Sequence, residues 1–284
     1  MLKIRLAQDD DLGDQKEIWR LCFRDSPDFI DYYYRHRYQN DETLLLWSDE
    51  KLAAMLSMIP VKLQIPKGKP LSGRMLYAIA THPRFQKRGL ATRLIDYAHR
   101  YVEEMKESFT VLVPAHPALF DFYRKQGYQE GFYLKETIWK KSKKTASTGF
   151  IPLVVTEITP DLYNKRRNEF LQDKIFISYR VREIDYQKSL SQRSGGNLYA
   201  LDAPGIQGCA AIEGLDASEF IIKEMLLSET LIPQALEKIA QIITAERLIC
   251  RTPGTQRPFA MIRGIGKNPI KMQPEEAYLG LAFD

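Results

Sequence analysis

"THPRFQKRGLATRLIDYAHR", residues 81 to 100, joins an apolar run to a helical pattern through a basic loop with a single glycine. "RMLYAIA" before it reads as a strand, and from Leu90 onward Leu94, Ile95, Ala98, Val102 and Met105 keep the helical period. The first-turn N–H groups of a helix have no intrahelical acceptor, and the helix dipole is positive at that end. A strand–loop–helix junction of this kind therefore holds an anion with main chain alone, and a phosphate fits best. Gly89 lets the anion approach the backbone closely, and Lys87 and Arg88 add positive charge. The Walker pattern and GxGxxG are both absent, which argues against nucleotide hydrolysis and a Rossmann site. A solvated basic helix start fits the same residues.

Working outward, "IRLA" (4–7) alternates as a strand, and residues 15–38 read as two short helices broken near Ser26-Pro27. "TLLLW" and "LAAMLSMIPVKLQI" flank the polar turn "SDEK" as a hairpin, with Pro60 marking a bulge or an edge. After the quoted segment, "FTVLVP" (109–114) reads as a buried strand, and "PALFDFYRKQG" as a helix with Pro117 in its first turn and Gly127 as its stop. "GFYLKETIW" returns as a strand. The second half repeats the order: "NLYAL" and "QGCAAIE" flank a Pro-Gly turn, then come the strand "FIIKEMLL", a helix carrying Leu236, Ile239 and Ile243, and the strand "RLICR".

The whole chain sets the boundaries. Its 284 residues, 44% hydrophobic and 27% charged, suit two globular domains. "KKSKK" (140–144) lies in a polar stretch and reads as a linker at 141–150, giving domains 1–140 and 151–284. No aromatic residues interleave with this 140–144 cluster, so no nucleic-acid partner is expected, and no apolar run is long enough to cross a bilayer. The N-terminus lacks a secretory pattern, and Cys22, Cys209 and Cys250 are scattered, which fits reduced thiols in a cytoplasmic protein. The four histidines have no paired metal-ligand spacing, so no metal is expected.

"HPRFQKRGLATRLI" resembles motif A of the GNAT superfamily of N-acetyltransferases, a Q/R-x-x-G-x-G/A loop, with Gln86, Gly89 and Ala91 in the matching places. "LFDFYRKQGY" resembles the end of that superfamily's motif B. The resemblance covers about the first 140 residues in element order. It implies an α+β fold with a mixed central sheet flanked by helices, and acetyl-CoA as co-substrate. It further implies that the strand at Ile79, Ala80 and Thr81 pairs with the pantetheine arm, and that amides of Lys87, Arg88, Gly89, Leu90, Ala91 and Thr92 hold the pyrophosphate. His116 stands where many members carry an asparagine that contacts the CoA arm. Tyr123 falls where many keep the group that protonates the departing thiolate; a tyrosine packed at a helix end fits it too.

An amine of pKa ~10.4 costs about 4.6 kcal/mol to deprotonate at pH 7, so the reaction needs a base or a water relay. Glu136, Asp25 and His116 are candidates, and each also reads as ordinary surface. No Cys or Ser stands beside a basic partner, so the amine attacks the thioester directly; Cys22 looks like a core-facing helix position. Tyr32, Tyr33, Tyr34 and Phe23 suggest an aromatic-lined acceptor pocket or plain core.

The two-part order resembles the tandem domains of Eis-type acetyltransferases, without their extra C-terminal domain. In the second part the loop is only "SET" (228–230), Ile262 falls at the tyrosine position, and "AYLGLAF" reads as a buried strand. That copy is expected to bind no CoA and to wall the acceptor pocket, with Glu224 a candidate for acceptor contact. The readings are an N-acetyltransferase for a small-molecule or peptide amine, a tandem transferase with an aminoacyl-tRNA donor, or a non-catalytic acyl-CoA-binding module. The intact Gln86–Ala91 segment favours CoA over tRNA.

Overall fold

The computed structural model describes residues 1–142, 152–266, 270, 272 and 277–283. The chain begins β1 (Leu2–Leu6), α1 (Leu12–Phe23), α2 (Pro27–His36), β2 (Thr43–Ser48), β3 (Lys51–Gln64) and β4 (Leu71–Thr81). It continues α3 (Leu90–Glu104), β5 (Phe109–Leu112), α4 (Ala118–Lys125) and β6 (Gln129–Lys140). After it come β7 (Val154–Glu157), α5 (Pro160–Phe170), β8 (Ile175–Ser178), α6 (Val181–Arg193), β9 (Asn197–Ala203), β10 (Ile206–Gly214) and β11 (Glu219–Leu226). The last are α7 (Ile232–Ile242), β12 (Arg247–Pro253), β13 (Arg257–Gly264) and β14 (Ala277–Tyr278). Residues 143–150 of the expected linker lie outside the described residues.

Contacts divide the chain differently from the expected 1–140 and 151–284. One unit comprises Met1–Leu63, Pro70–Glu130 and Ala260–Lys271; the other comprises Gln64–Lys69, Gly131–Phe259 and Met272–Asp284. In the first, β1, β2, β3 and β4 follow one another antiparallel, β4 pairs parallel with β5, and β5 pairs antiparallel with β13. In the second, β7, β9, β10 and β11 run antiparallel, β11 pairs parallel with β12, and β12 pairs antiparallel with β6. The two strand orders match. Each sheet takes its closing strand from the opposite half of the sequence: β13 completes the first unit and β6 the second.

Local chemistry accounts for the elements that carry the site. Ser26 caps α2 by accepting from the Phe29 N–H at 3.2 Å, with Pro27 at the first helical position, which separates α1 from α2 where the sequence suggests. Asp49 and Glu50 both have positive φ, the backbone of a tight hairpin between β2 and β3. Pro60 sits in β3 beyond Ser57, where pairing with β2 has ended. α3 packs Leu90, Leu94, Ile95 and Ala98 against Leu44, Leu56, Met58, Leu76 and Leu112 of the sheet, and buries Val102 as well. Truncating a fully buried leucine such as Leu94 to alanine costs about 2–5 kcal/mol.

Two sequence expectations fail here. Ile262 lies on β13, opposite Val111 of β5, so "PFAMIRGIG" is a strand and supplies no counterpart of the helix that carries Tyr123. "AYLGLAF" forms only the two-residue strand β14, beside β8, and Leu279–Phe283 is buried without strand structure among the described residues. The apolar composition of 277–283 signals burial but does not set the backbone form.

Candidate active site

The site grows from the end of β4. Parallel pairing with β5 stops at Met75, while β4 runs on to Thr81 against β3 alone. A bulge interrupts that ladder where Ala78 takes a left-handed backbone, φ 50°. Between Leu76 and Thr81 the β5-facing side of β4 has no partner strand among the described residues, and Tyr77, Ile79 and Thr81 are partly exposed. Ala80 is buried.

The chain then makes one 3-10 turn at Pro83–Phe85 and enters α3 through two left-handed residues, Lys87 (φ 61°) and Gly89 (φ 72°). A left-handed residue followed by helix curls successive N–H groups toward one point. Among the described residues none accepts a hydrogen bond from the N–H of Lys87, Arg88, Gly89, Leu90, Ala91 or Thr92; the first amide of the series to be used is Arg93, which donates to the Gly89 carbonyl at 3.1 Å. A Cβ on Gly89 would meet nothing within 4 Å, so glycine serves the backbone conformation and leaves the space above it open.

The side chains of the loop do different work. Gln86 folds back, its Nε2 donating to the Thr81 carbonyl at 3.1 Å, and so closes the loop. The Arg88 guanidinium stacks on Phe85 at 5.4 Å, while the Lys87 side chain is exposed. Thr92 accepts from Gln126 Nε2 at 3.2 Å. Gln126 follows α4, the helix that carries Tyr123.

Tyr123 is buried against Phe122 and Tyr128, and no described residue hydrogen-bonds its hydroxyl, which still keeps contact with solvent. Burial alone pushes its pKa up to about 12, because the phenolate is poorly solvated there. His116 is exposed in the turn before α4, where its carbonyl accepts from the Leu119 N–H.

The remaining candidates separate. Cys22 donates to the Thr81 carbonyl at 3.3 Å, and burial raises its thiol pKa, so it is no ready nucleophile. Asp25 accepts from Trp19 Nε1 at 2.7 Å. Trp19 in turn stacks near Tyr33, Tyr34, Phe23 and Tyr77, placing those aromatics in one cluster; Tyr32 stacks instead on His36. Glu136 is tied up by Arg251 and Arg257 at 3.2 and 3.0 Å in the second unit. Glu224 is no acceptor contact: it is fully buried there, bonded to Arg167 Nε at 2.9 Å and to the Tyr163 hydroxyl at 2.8 Å. Its place in the strand "FIIKEMLL" gave no sign of a buried partner on another element. Sequence reasoning also missed the Ala78 bulge and the Gln126–Thr92 link, neither of which has a local spacing signature.

The sequence profile of the Acetyltransferase (GNAT) domain family matches residues 3–131, the stretch that contains the open strand, the loop and Tyr123. Residues 3–131 are thus similar to a GNAT acetyltransferase domain. No curated protein sequence matches it. Solved structures show that the GNAT-like fold extends well beyond residue 131, over 93–94% of the chain. A GCN5-related N-acetyltransferase from Anabaena variabilis superposes with a TM-score of 0.69 at 16% identity, over 93% of this chain and 72% of that one. Eis1 from Mycobacterium abscessus gives 0.66 at 12%, over 93% and 73%. A tandem GNAT protein from the clavulanic acid biosynthesis pathway gives 0.53 at 14%, over 94% and 100%. At these identities the likeness is one of fold, and it fits two GNAT-like units of which only the first keeps the loop.

Proposed function

We propose that this protein is an acetyl-CoA-dependent N-acetyltransferase acting on a primary amine of a small molecule or peptide. The observation that carries this reading is the run of unclaimed amides from Lys87 to Thr92 beneath open space at Gly89, directly after a strand whose Leu76–Thr81 stretch lacks a β5 partner. The amides suit a pyrophosphate, and the β5-facing edge of β4 at Ile79 and Ala80 suits the amide groups of a pantetheine arm. At Thr81 the carbonyl is already taken by Gln86 and Cys22, so the arm would meet the strand before that carbonyl, with His116 as a further candidate contact.

The amine attacks the thioester carbon directly: an N–C bond forms, the C–S bond breaks, the amine proton leaves to solvent or a base, and the thiolate takes up a proton. Tyr123 is the candidate donor. With its pKa near 12, full transfer to a thiolate of pKa ~8.5 is uphill by roughly 3.5 units, about 5 kcal/mol. Tyr123 therefore acts first by hydrogen-bonding the leaving sulfur, transfer following as charge develops. Cys209 and Cys250 are buried, and Cys22 is bonded, so none serves as an acyl carrier. Three free thiols accord with a cytoplasmic location.

Thermal melting tests the donor first: acetyl-CoA at 100 times its Kd should add about 2.7 kcal/mol of stability, and aminoacyl-tRNA none. Tyr123→Phe is expected to bind acetyl-CoA normally and to lower kcat about 10- to 100-fold across an amine panel. Gly89→Glu, which puts a strained, anionic side chain at the amide cluster, should abolish binding; unchanged affinity would overturn the proposed phosphate site. Binding without turnover of any amine would favour the non-catalytic module instead.

A further inference from the structure

β13 brings one arginine to the first unit from far along the sequence. Arg263 lies opposite Thr110 in the β13–β5 ladder, and its Nη1 meets two acceptors: His99 Nδ1 of α3 at 2.6 Å and the Gln126 carbonyl, just past α4, at 2.7 Å. An arginine is a donor only, so His99 Nδ1 is the acceptor and the ring proton sits on Nε2, which donates to the Tyr128 hydroxyl at 3.0 Å. Tyr128 passes the chain on to Thr110 Oγ1 at 2.8 Å. Gln126 itself faces two ways: Arg263 holds its carbonyl, and its side-chain amide holds Thr92 in the first turn of α3. The Tyr123 carbonyl accepts from the Gln126 and Tyr128 N–H groups, which ties the same residues to the end of α4.

We infer that Arg263 is a positioning residue for the CoA site, acting through Gln126 on the phosphate-facing turn at Thr92. The inference rests on the acetyl-CoA reading above. A guanidinium at a helix C-terminus is also favoured by the dipole, so the link is charge-assisted as well as geometric. Without it the Gln126 carbonyl loses its partner and the backbone there keeps only its N–H bond to the Tyr123 carbonyl, so the brace on the Thr92 turn loosens while the loop sequence stays intact.

Acetyl-CoA titration calorimetry and steady-state kinetics on the full chain test this with two variants. Gln126→Leu keeps both Arg263 bonds and removes only the brace on Thr92; it should weaken acetyl-CoA binding about tenfold and raise KM for acetyl-CoA by a similar factor, kcat changing much less. Arg263→Met should do at least as much, and the double variant no more than Arg263→Met alone, because the two act in series. A lower melting temperature for Arg263→Met with acetyl-CoA affinity unchanged would mean a merely structural role and overturn the inference. So would unchanged affinity in Gln126→Leu, which decides the matter if Arg263→Met does not fold. If the unmutated protein does not bind acetyl-CoA, the functional reading fails first and this inference falls with it.

Discussion

In the first unit β4 runs from Leu76 to Thr81 beyond its last pairing with β5 and turns through Lys87 and Gly89 into α3; in the second, β11 runs from Lys223 to Leu226 beyond its last pairing with β12 and turns through Ser228–Leu231 into α7. Both strands carry a ladder irregularity at the point of divergence, at Ala78 in one and at Lys223 in the other. What lines the gap differs. Tyr77, Ile79 and Thr81 are partly exposed, whereas Lys223 to Leu226 are all buried, with Lys223 against Glu213 and Glu224 against Arg167. The segment Ala277–Phe283 packs over the latter, where a side chain at Gly280 would run into Glu224 and Tyr278. The second loop has no left-handed glycine, carries the carboxylate of Glu229 in its first turn, spends the Leu231 N–H on the Ser228 carbonyl, and has Pro233, with no N–H, early in α7. One topology thus gives a run of unclaimed amides at an open junction in one unit and a packed core in the other; the strand order alone does not set the function.

The largest effect is expected in the filled gap. Arg167→Ala strips the charged partner from Glu224, a carboxylate with no exposure, leaving it the Tyr163 hydroxyl, and removes the stacking of the guanidinium on Tyr179 at 4.9 Å. Breaking a fully buried pair from one side costs about 3–5 kcal/mol, read as a lower urea midpoint. Acetyl-CoA affinity of the folded variant should not change, because the cluster belongs to the second unit and the proposed CoA site to the first. A loss of affinity as large as the loss of stability would mean that the two regions do not divide the work.

The same contrast shows what sequence reading can reach. α3 was legible because its buried stripe is apolar and Gly89 sits at its start. α5 and α6 were not, because their inward faces carry Asn164 and Arg167, and Glu183, Gln187 and Ser191, all buried and polar, which erase the apolar period. β13 was misread by analogy with the Tyr123 helix. Its apolar run Phe259–Ile262 fits a buried strand, yet nothing local in it says that its partner is β5, some 150 residues earlier. The loop at Gln86–Ala91 could be found from residue identities alone. Its brace could not, since Arg263, Gln126 and Thr92 meet only through the strand exchange.

Acid should expose the next difference. The buried polar cluster of the first unit centres on a neutral imidazole, His99, whose pKa is held down to about 3 by desolvation and then by the Arg263 charge. The unfolded ring, near pKa 6.5, takes up a proton that the folded ring refuses. The stability from this group is therefore complete above pH 6.5 and drains away as pH falls toward 3, with about 2 to 3 kcal/mol gone by pH 4.5. His99→Gln can accept from Arg263 and donate to Tyr128 without titrating. Urea midpoints at pH 7 and pH 4.5 should lie closer together in that variant than in the unmutated protein; an equal gap would place the acid-sensitive group elsewhere.

The smallest change tests the comparison most directly. Ala91 is the second helical residue of α3, as Pro233 is of α7, so Ala91→Pro copies into the first unit the feature that removes an amide from the second. Early helical positions tolerate proline because their N–H groups have no intrahelical acceptor, and α7 accepts one there with Ile232 in ordinary helical geometry, φ −56° and ψ −47°. Fold and melting temperature should therefore hardly move. One amide facing the phosphate is lost, and the bond it would make to an anion is charge-assisted, so acetyl-CoA affinity should fall about tenfold, near 1.4 kcal/mol. Affinity and melting temperature both unchanged would show that the Ala91 N–H makes no phosphate contact, and would leave the amides of Lys87 to Leu90 and of Thr92 as the ones that could.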